Sequence, residues 1–206
     1  MKTFKVKGFV LREMPQSEAD KVLVLLLRGD GRLRINARGA RKPTSKFLSA
    51  TQLFTYSEFV VVQKNGFFVC SQADTIEHFF ELRTDYEALK TAAVVASMAE
   101  KITPWGISEY TSQDVTGLVL YCMKALCKGV LGDIVLSAFA LKLLQLEGYA
   151  PDLCGSGLVG DTLSAAEYVL SSDIPKMFSF NATSTVLENL KYYADTQLRI
   201  HMDIYF

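Results

Sequence analysis

The chain has 206 residues, half of them hydrophobic and about a fifth charged, which is enough apolar material for a packed core and excludes a disordered polymer. Its formal charge of zero conceals two opposed ends. Residues 1–50 carry 12 Lys and Arg against 4 Asp and Glu, a net +8, while residues 51–206 carry 10 against 18, a net −8. A basic end of this kind points to a local polyanion site, with a solvated basic face as the plain alternative. Met1-Lys2-Thr3-Phe4-Lys5 leads into alternating residues rather than an apolar run, so no signal peptide is expected. The apolar stretches around 115–131 and 134–149 are interrupted by Lys124, Lys128, Lys142 and Glu147, which argues against a membrane span and makes a cytoplasmic location the default.

In chain order, Phe4, Val6 and Gly8 alternate with Lys5, Lys7 and Phe9, the period of a half-buried strand. Val22 to Leu27 is a continuous apolar run, suited to a strand covered on both faces. Gly29-Asp30-Gly31 supplies a tight hairpin. In the returning strand Leu33, Ile35 and Ala37 take one face, and Arg32, Arg34, Asn36 and Arg38 take the other. A pair of strands at about 52–64 and 67–76 breaks at Asn65-Gly66. Five short strands in under eighty residues predict a small closed barrel.

After Ile76 the period changes. Leu82, Tyr86, Leu89, Ala93 and Ala96 recur at helical spacing, and Pro104 with Gly106 ends that helix. Ser112, Gln113 and Asp114 open a second helix, running to about Lys128. A third, from about Asp133 to Glu147, is apolar nearly all round and therefore central, with Gly148 and Pro151 closing it. Shorter and longer helices at about 163–172 and 183–202 follow an irregular stretch at 150–161. The fold class expected is α+β, with a five-stranded barrel over 1–78 and an all-helical domain over 79–206.

The candidate site is basic. Lys5 and Lys7 share one strand face, Arg32, Arg34 and Arg38 share another, and Arg41, Lys42 and Lys46 follow in a loop containing Gly39 and Pro43. Such cations neutralise phosphates and release counterions without reading sequence. Phe9, Phe47 and Phe54 are the candidate platforms for base stacking, against a core role for each. Gly155-Ser156-Gly157-Leu158-Val159-Gly160 spells G-x-G-x-x-G, but no strand precedes it and Asp173 comes too early for a dinucleotide fingerprint. His78 and His201, the only histidines, neighbour no recognisable nucleophile, and the carboxylates form no short cluster. Cys70, Cys122, Cys127 and Cys154 lack paired metal or disulfide spacing and read mostly as buried thiols. No enzyme, cofactor or metal is expected.

Lys7-Gly8-Phe9-Val10-Leu11-Arg12, followed by Ser17-Glu18-Ala19-Asp20-Lys21, is similar to the opening of the RecO family of recombination and repair mediators. The stretch from Gly31-Arg32 to Ala37-Arg38-Gly39-Ala40-Arg41-Lys42 and Ser45-Lys46 resembles that family's most recognisable segment. Gln52-Leu53-Phe54, Glu58 and Gly148-Tyr149-Ala150-Pro151-Asp152-Leu153 continue the resemblance. It implies an N-terminal OB-fold barrel and a helical domain. It also implies binding of single- and double-stranded DNA, annealing of complementary strands, and work with RecR and single-stranded DNA-binding protein so that RecA loads on gaps, in a cytoplasmic, nucleoid-associated protein. The implied DNA contacts are Lys5, Lys7, Arg12, Arg32, Arg34, Arg38, Arg41, Lys42 and Lys46. Many members carry four zinc-binding cysteines after the Gly-Tyr-x-Pro segment; here only Cys154 stands there, in a shortened loop, so no zinc is expected. The alternative function is an adaptor whose helical domain captures a partner's C-terminal tail, with Lys142 or Arg199 pairing its terminal carboxylate.

Overall fold

In the computed structural model, which describes residues 2–29, 31–107 and 114–206, the alternating N-terminus forms strand β1 (Lys2–Pro15). Strands β2 (Lys21–Leu27), β3 (Gly31–Ala37), β4 (Thr55–Lys64) and β5 (Phe67–His78) follow. They close into a barrel in the order β1-β2-β3-β5-β4. All pairings are antiparallel except β3 with β5, where Ile35 faces Phe68 and Asn36 faces Val69 in parallel. This is the OB-fold barrel. Asn65 (φ 50°) and Gly66 (φ 80°) both adopt positive φ between Lys64 and Phe67, giving the type I′ geometry that matches strand twist.

The barrel core contains Val6, Val10, Leu23, Leu25, Leu27, Leu33, Ile35, Phe59 and Val61, the inward residues of four strands. Every residue of β2 is buried, as its continuous apolar run requires. The β1–β2 register shifts between Val10 and Arg12. That bulge matters, because one extra residue moves all later side chains to the opposite face. It turns Arg12 outward, opposite Val24, which in turn faces Arg34.

Among the described residues five α-helices follow: α1 (Tyr86–Ile102), α2 (Val115–Cys127), α3 (Gly132–Leu146), α4 (Gly160–Ser171) and α5 (Ser184–Met202). Asp85 caps α1, its Oδ1 accepting from the amides of Glu87 and Ala88. The buried stripe of α1 is Ala88, Thr91, Ala92, Val95, Ala96, Met98 and Ala99, so the stripe expected through Tyr86 and Ala93 is offset. Tyr86 and Ala93 are exposed, and Leu82 lies in a separate 3-10 turn (Phe80–Arg83). An alanine-rich helix offers two competing apolar stripes, and packing chooses between them. Ser112 and Gln113, expected to open the second helix, lie outside the described residues. Helix α3 is buried from Ile134 through Leu144 and packs against α4 and α5, the central position its composition predicts. Lys191 of α5 meets Asp133, in the first turn of α3, at 2.7 Å, where a carboxylate also favours the helix dipole.

The chain divides into two compact units, Met1–Phe79 with Ile102–Thr116, and Phe80–Lys101 with Gly117–Phe206. Among the described residues no helix is long and apolar enough to cross a membrane.

Candidate nucleic-acid interface

Strand β3 shows a clean division of faces. Leu33, Ile35 and Ala37 are buried, Arg34 and Arg38 are exposed, and Arg32 and Asn36 are half-buried. Outward side chains recur every ~6.6 Å along such a strand, so Arg32, Arg34 and Arg38 make a row of cations. The row runs into the turn-rich segment 38–54. That segment is fastened to the β1–β2 turn: the Gly39 amide donates to Asp20 Oδ1 at 2.7 Å, the Arg41 amide donates to the Ala19 carbonyl at 2.9 Å, and Arg41 Nη1 donates to the Ser17 carbonyl. The Ser17–Asp20 and Gly39–Arg41 stretches are thus two halves of one clasp. Arg41 is a part of that clasp as well as a cation. Arg34, Arg38 and Lys42 make no ion pair or side-chain hydrogen bond among the described residues, while Lys46 lies 5.1 Å over the Phe47 ring.

Lys5 and Lys7 stand in different company. They lie on the half of β1 that pairs with β4, where Lys7 faces Glu58 and Glu58 faces Asp74. Lys5 Nζ is 2.8 Å from Glu58 Oε1, and its pKa is raised first by that hydrogen bond and then by the Glu58 and Asp74 charges. This face is mixed in sign, and the structure separates it from the β3 row.

The expected stacking platforms are core residues. Phe9, Phe47 and Phe54 are all buried, with Phe9 stacked on Phe54 at 5.9 Å and edge-on to Phe79 at 6.1 Å. Phe9 does lie on the outer side of β1, but Phe54 and Phe79 cover it, and a strand's own alternation cannot reveal such cover. Among the described residues, the exposed aromatics of the barrel unit are instead Phe67 (66% exposed), beside the Asn65-Gly66 turn, and Trp105 (58% exposed). Both line a groove of about 370 Å³ with Gln16, Arg32, Arg34 and Asn36. The face of β3, the β1–β2 turn and the β4–β5 turn therefore meet in one place, which is where OB barrels hold oligonucleotides. Trp105 reaches it because its segment forms a bridge on β3 opposite Arg32. In sequence Pro104 and Gly106 mark only a helix end; a tryptophan between such breakers was the available clue.

In the helical unit, Lys142 is 6% exposed and donates to Gln145 Oε1 and the Leu170 carbonyl, each at 2.9 Å. Arg199 is exposed and pairs with Asp195 at 2.7 Å. Burial lowers the Lys142 pKa, with Asp173 opposing it. The folded state therefore releases this proton before the unfolded chain does. The cost of the buried charge is full at neutral pH and is relieved as pH climbs from the lowered folded pKa towards the ordinary lysine value. The denaturation midpoint of the wild type, taken relative to that of Lys142→Met, is expected to rise between about pH 7 and about pH 10. A constant difference across that range would mean the ammonium is as well solvated folded as unfolded.

The thiols follow their surroundings. Burial pushes Cys70 up to about 12, against a small lowering by Lys46, and holds Cys122 well above the ordinary thiol value. Cys127 is half-buried and Cys154 is exposed. A four-cysteine zinc centre does not fit this chain: Cys154 sits in a loop closed by its own turns, its amide on Asp152 Oδ1 and Ser156 Oγ on the Leu153 carbonyl, each at 2.9 Å. Among the described residues no three His, Cys, Asp or Glu side chains gather as ligands.

The family model described as Recombination protein O N terminal matches residues 1–79, the five strands of the barrel. The DNA repair protein RecO of Alkaliphilus metalliredigens is 32% identical over 160 residues, covering 78% of this chain and 64% of that protein. The protein of the same name from Desulforudis audaxviator is 35% identical over 153 residues, covering 74% and 60%. That from Acetivibrio thermocellus is 25% identical over 224 aligned positions, covering 92% and 88%. The chain thus spans somewhat under two thirds of the length of the first two relatives. With the closed OB barrel, its matched N-terminal segment and a relative aligned over nearly the whole chain, the protein is similar to the RecO proteins from barrel to helices.

Proposed function

We propose that this chain is a DNA-binding recombination-repair mediator that holds DNA along the outer face of β3 and the Arg38–Lys46 segment. The observation that carries this reading is the single-signed row of Arg34, Arg38 and Lys42, held outward without intramolecular partners among the described residues. Unpaired guanidinium and ammonium groups on a rigid strand and a clasped loop suit phosphate contact, because little side-chain order is lost to competing pairs. The family resemblance and the printed names of the relatives, DNA repair protein RecO, supply the repair role. In this reading the protein binds single and double strands, anneals complementary strands, and works with RecR and single-stranded DNA-binding protein to help RecA load on gaps. The barrel of residues 1–78 carries the DNA, the helical domain of 79–206 contributes partner contacts, and no cofactor or catalytic step is involved.

A salt titration tests the phosphate mechanism directly. Affinity for single-stranded DNA should fall steeply and log-linearly from about 50 to about 200 mM salt, and the same preparation should accelerate annealing of complementary oligonucleotides. Binding that stays flat across that range would remove the phosphate-based reading.

A further inference from the structure

Charge alone does not account for the β3 groove. Trp105 is the chain's only tryptophan, and it is exposed yet held firmly. The Arg32 amide donates to the Pro104 carbonyl at 2.7 Å, and the Gly106 amide donates back to the Arg32 carbonyl at 2.8 Å. Arg32 Nε donates to the Thr103 carbonyl at 2.7 Å, and its guanidinium then lies 4.4 Å from the indole centroid. Two backbone hydrogen bonds, one from the Arg32 side chain and one cation–π contact thus fix a large aromatic side chain that is not buried. Orienting an exposed ring in this way adds little to core packing, but it is what a stacking platform needs. The guanidinium covers one side of the ring, and Phe67 brings a second exposed ring to the same groove, with Arg34 between strand and solvent.

The geometry points to a base-stacking site in this groove, built on Trp105 and Phe67, that takes unpaired bases of single-stranded DNA while Arg34 meets the adjoining phosphates. The inference rests on the DNA-binding reading and narrows it, since bases stacked inside a duplex cannot lie on an indole. Arg32 is here a positioning residue. Its Nε hydrogen bond and its stacked plane orient Trp105, a task a lysine cannot perform with a compact ammonium.

The sole tryptophan makes the test direct. Full-length protein is titrated with end-labelled oligothymidylate of about 12 nucleotides, with an abasic phosphodiester of equal length, and with a duplex. Label anisotropy reports binding and indole emission reports stacking. Oligothymidylate should quench Trp105, and the abasic strand should bind at high concentration without quenching. Trp105→Ala should weaken oligothymidylate binding by roughly 5- to 150-fold and duplex binding by less than about twofold, with partial recovery in Trp105→Phe. Arg32→Lys should shrink the quench while leaving the salt slope unchanged. Binding of oligothymidylate with no quench, or equal weakening of single strand and duplex by Trp105→Ala, overturns the stacking site and leaves phosphate binding intact. Failure of all three nucleic acids to bind at low salt overturns the DNA-binding reading, and the stacking site with it.

Discussion

Simultaneous replacement of Arg34, Arg38 and Lys42 by Ala is expected to weaken single-stranded DNA binding about 100- to 500-fold near ~0.1 M salt, whatever the base sequence. Each phosphate contact releases about 0.7 counterion on a single strand, and is therefore worth somewhat under a factor of ten at that salt. Three contacts multiply, and the slope of log affinity against log salt should flatten by roughly 2 in the same variant. The two readings must agree. A large loss of affinity with an unchanged slope would mean that the substitutions had disturbed the barrel rather than removed phosphate contacts. Arg41 is left out deliberately, because its amide and guanidinium hold the Ser17–Asp20 turn and its loss would mix folding with binding. Lys5→Ala is the internal contrast. Lys5 already pairs with Glu58 at 2.8 Å on a face of mixed sign, so binding should change by less than about twofold.

Gly31→Val should destabilise the protein by about 2–4 kcal/mol. Gly31 has φ +86°, a region where an L side chain is strained, and a Cβ added there would stand 2.6 Å from the Pro104 carbonyl oxygen. That oxygen cannot retreat freely, because it accepts the Arg32 amide at 2.7 Å. The strap carrying Trp105 must therefore swing away from β3, or β3 must shift. Urea denaturation should show a lower midpoint, and Trp105 emission should move to longer wavelength before the global transition. Gly39→Ala calibrates the backbone contribution. Gly39 also has positive φ, +67°, but nothing lies within 4 Å of the added Cβ, so only about 1–2 kcal/mol is expected. If the two variants unfolded together, the close approach of the strap would play no part in stability.

The parts of this fold that could be read from sequence are those decided by neighbours along the chain. The division of β3 into Leu33-Ile35-Ala37 and Arg32-Arg34-Arg38 needs only a period of two, and the structure keeps it residue for residue. Asn65-Gly66 specifies its turn because two successive positive φ values are needed there. Helix α3 reads as central because no polar face exists to leave outside. What could not be read depends on distant partners. Phe9 sits where alternation puts it, yet Phe54 and Phe79 cover it. Arg12 points outward only because a bulge precedes it, and a strict period of two carried through β1 would have turned it inward. Trp105 looks like debris at a helix end until the strap is seen lying on a strand over seventy residues earlier. The basic half of the groove was thus legible and its aromatic half was not.

That long reach also sets a schedule. Arg32 and Thr103 are 71 positions apart, and a ribosome adding about 5–20 residues per second needs roughly 4–14 s to cover that interval. By the end of that interval all five strands have been made and can pair, but the groove has its cations without its indole. A nascent chain would meet nucleic acid, if at all, as a charge-only surface. Its indole would arrive only about midway along the 206 residues, after the first helix has already emerged.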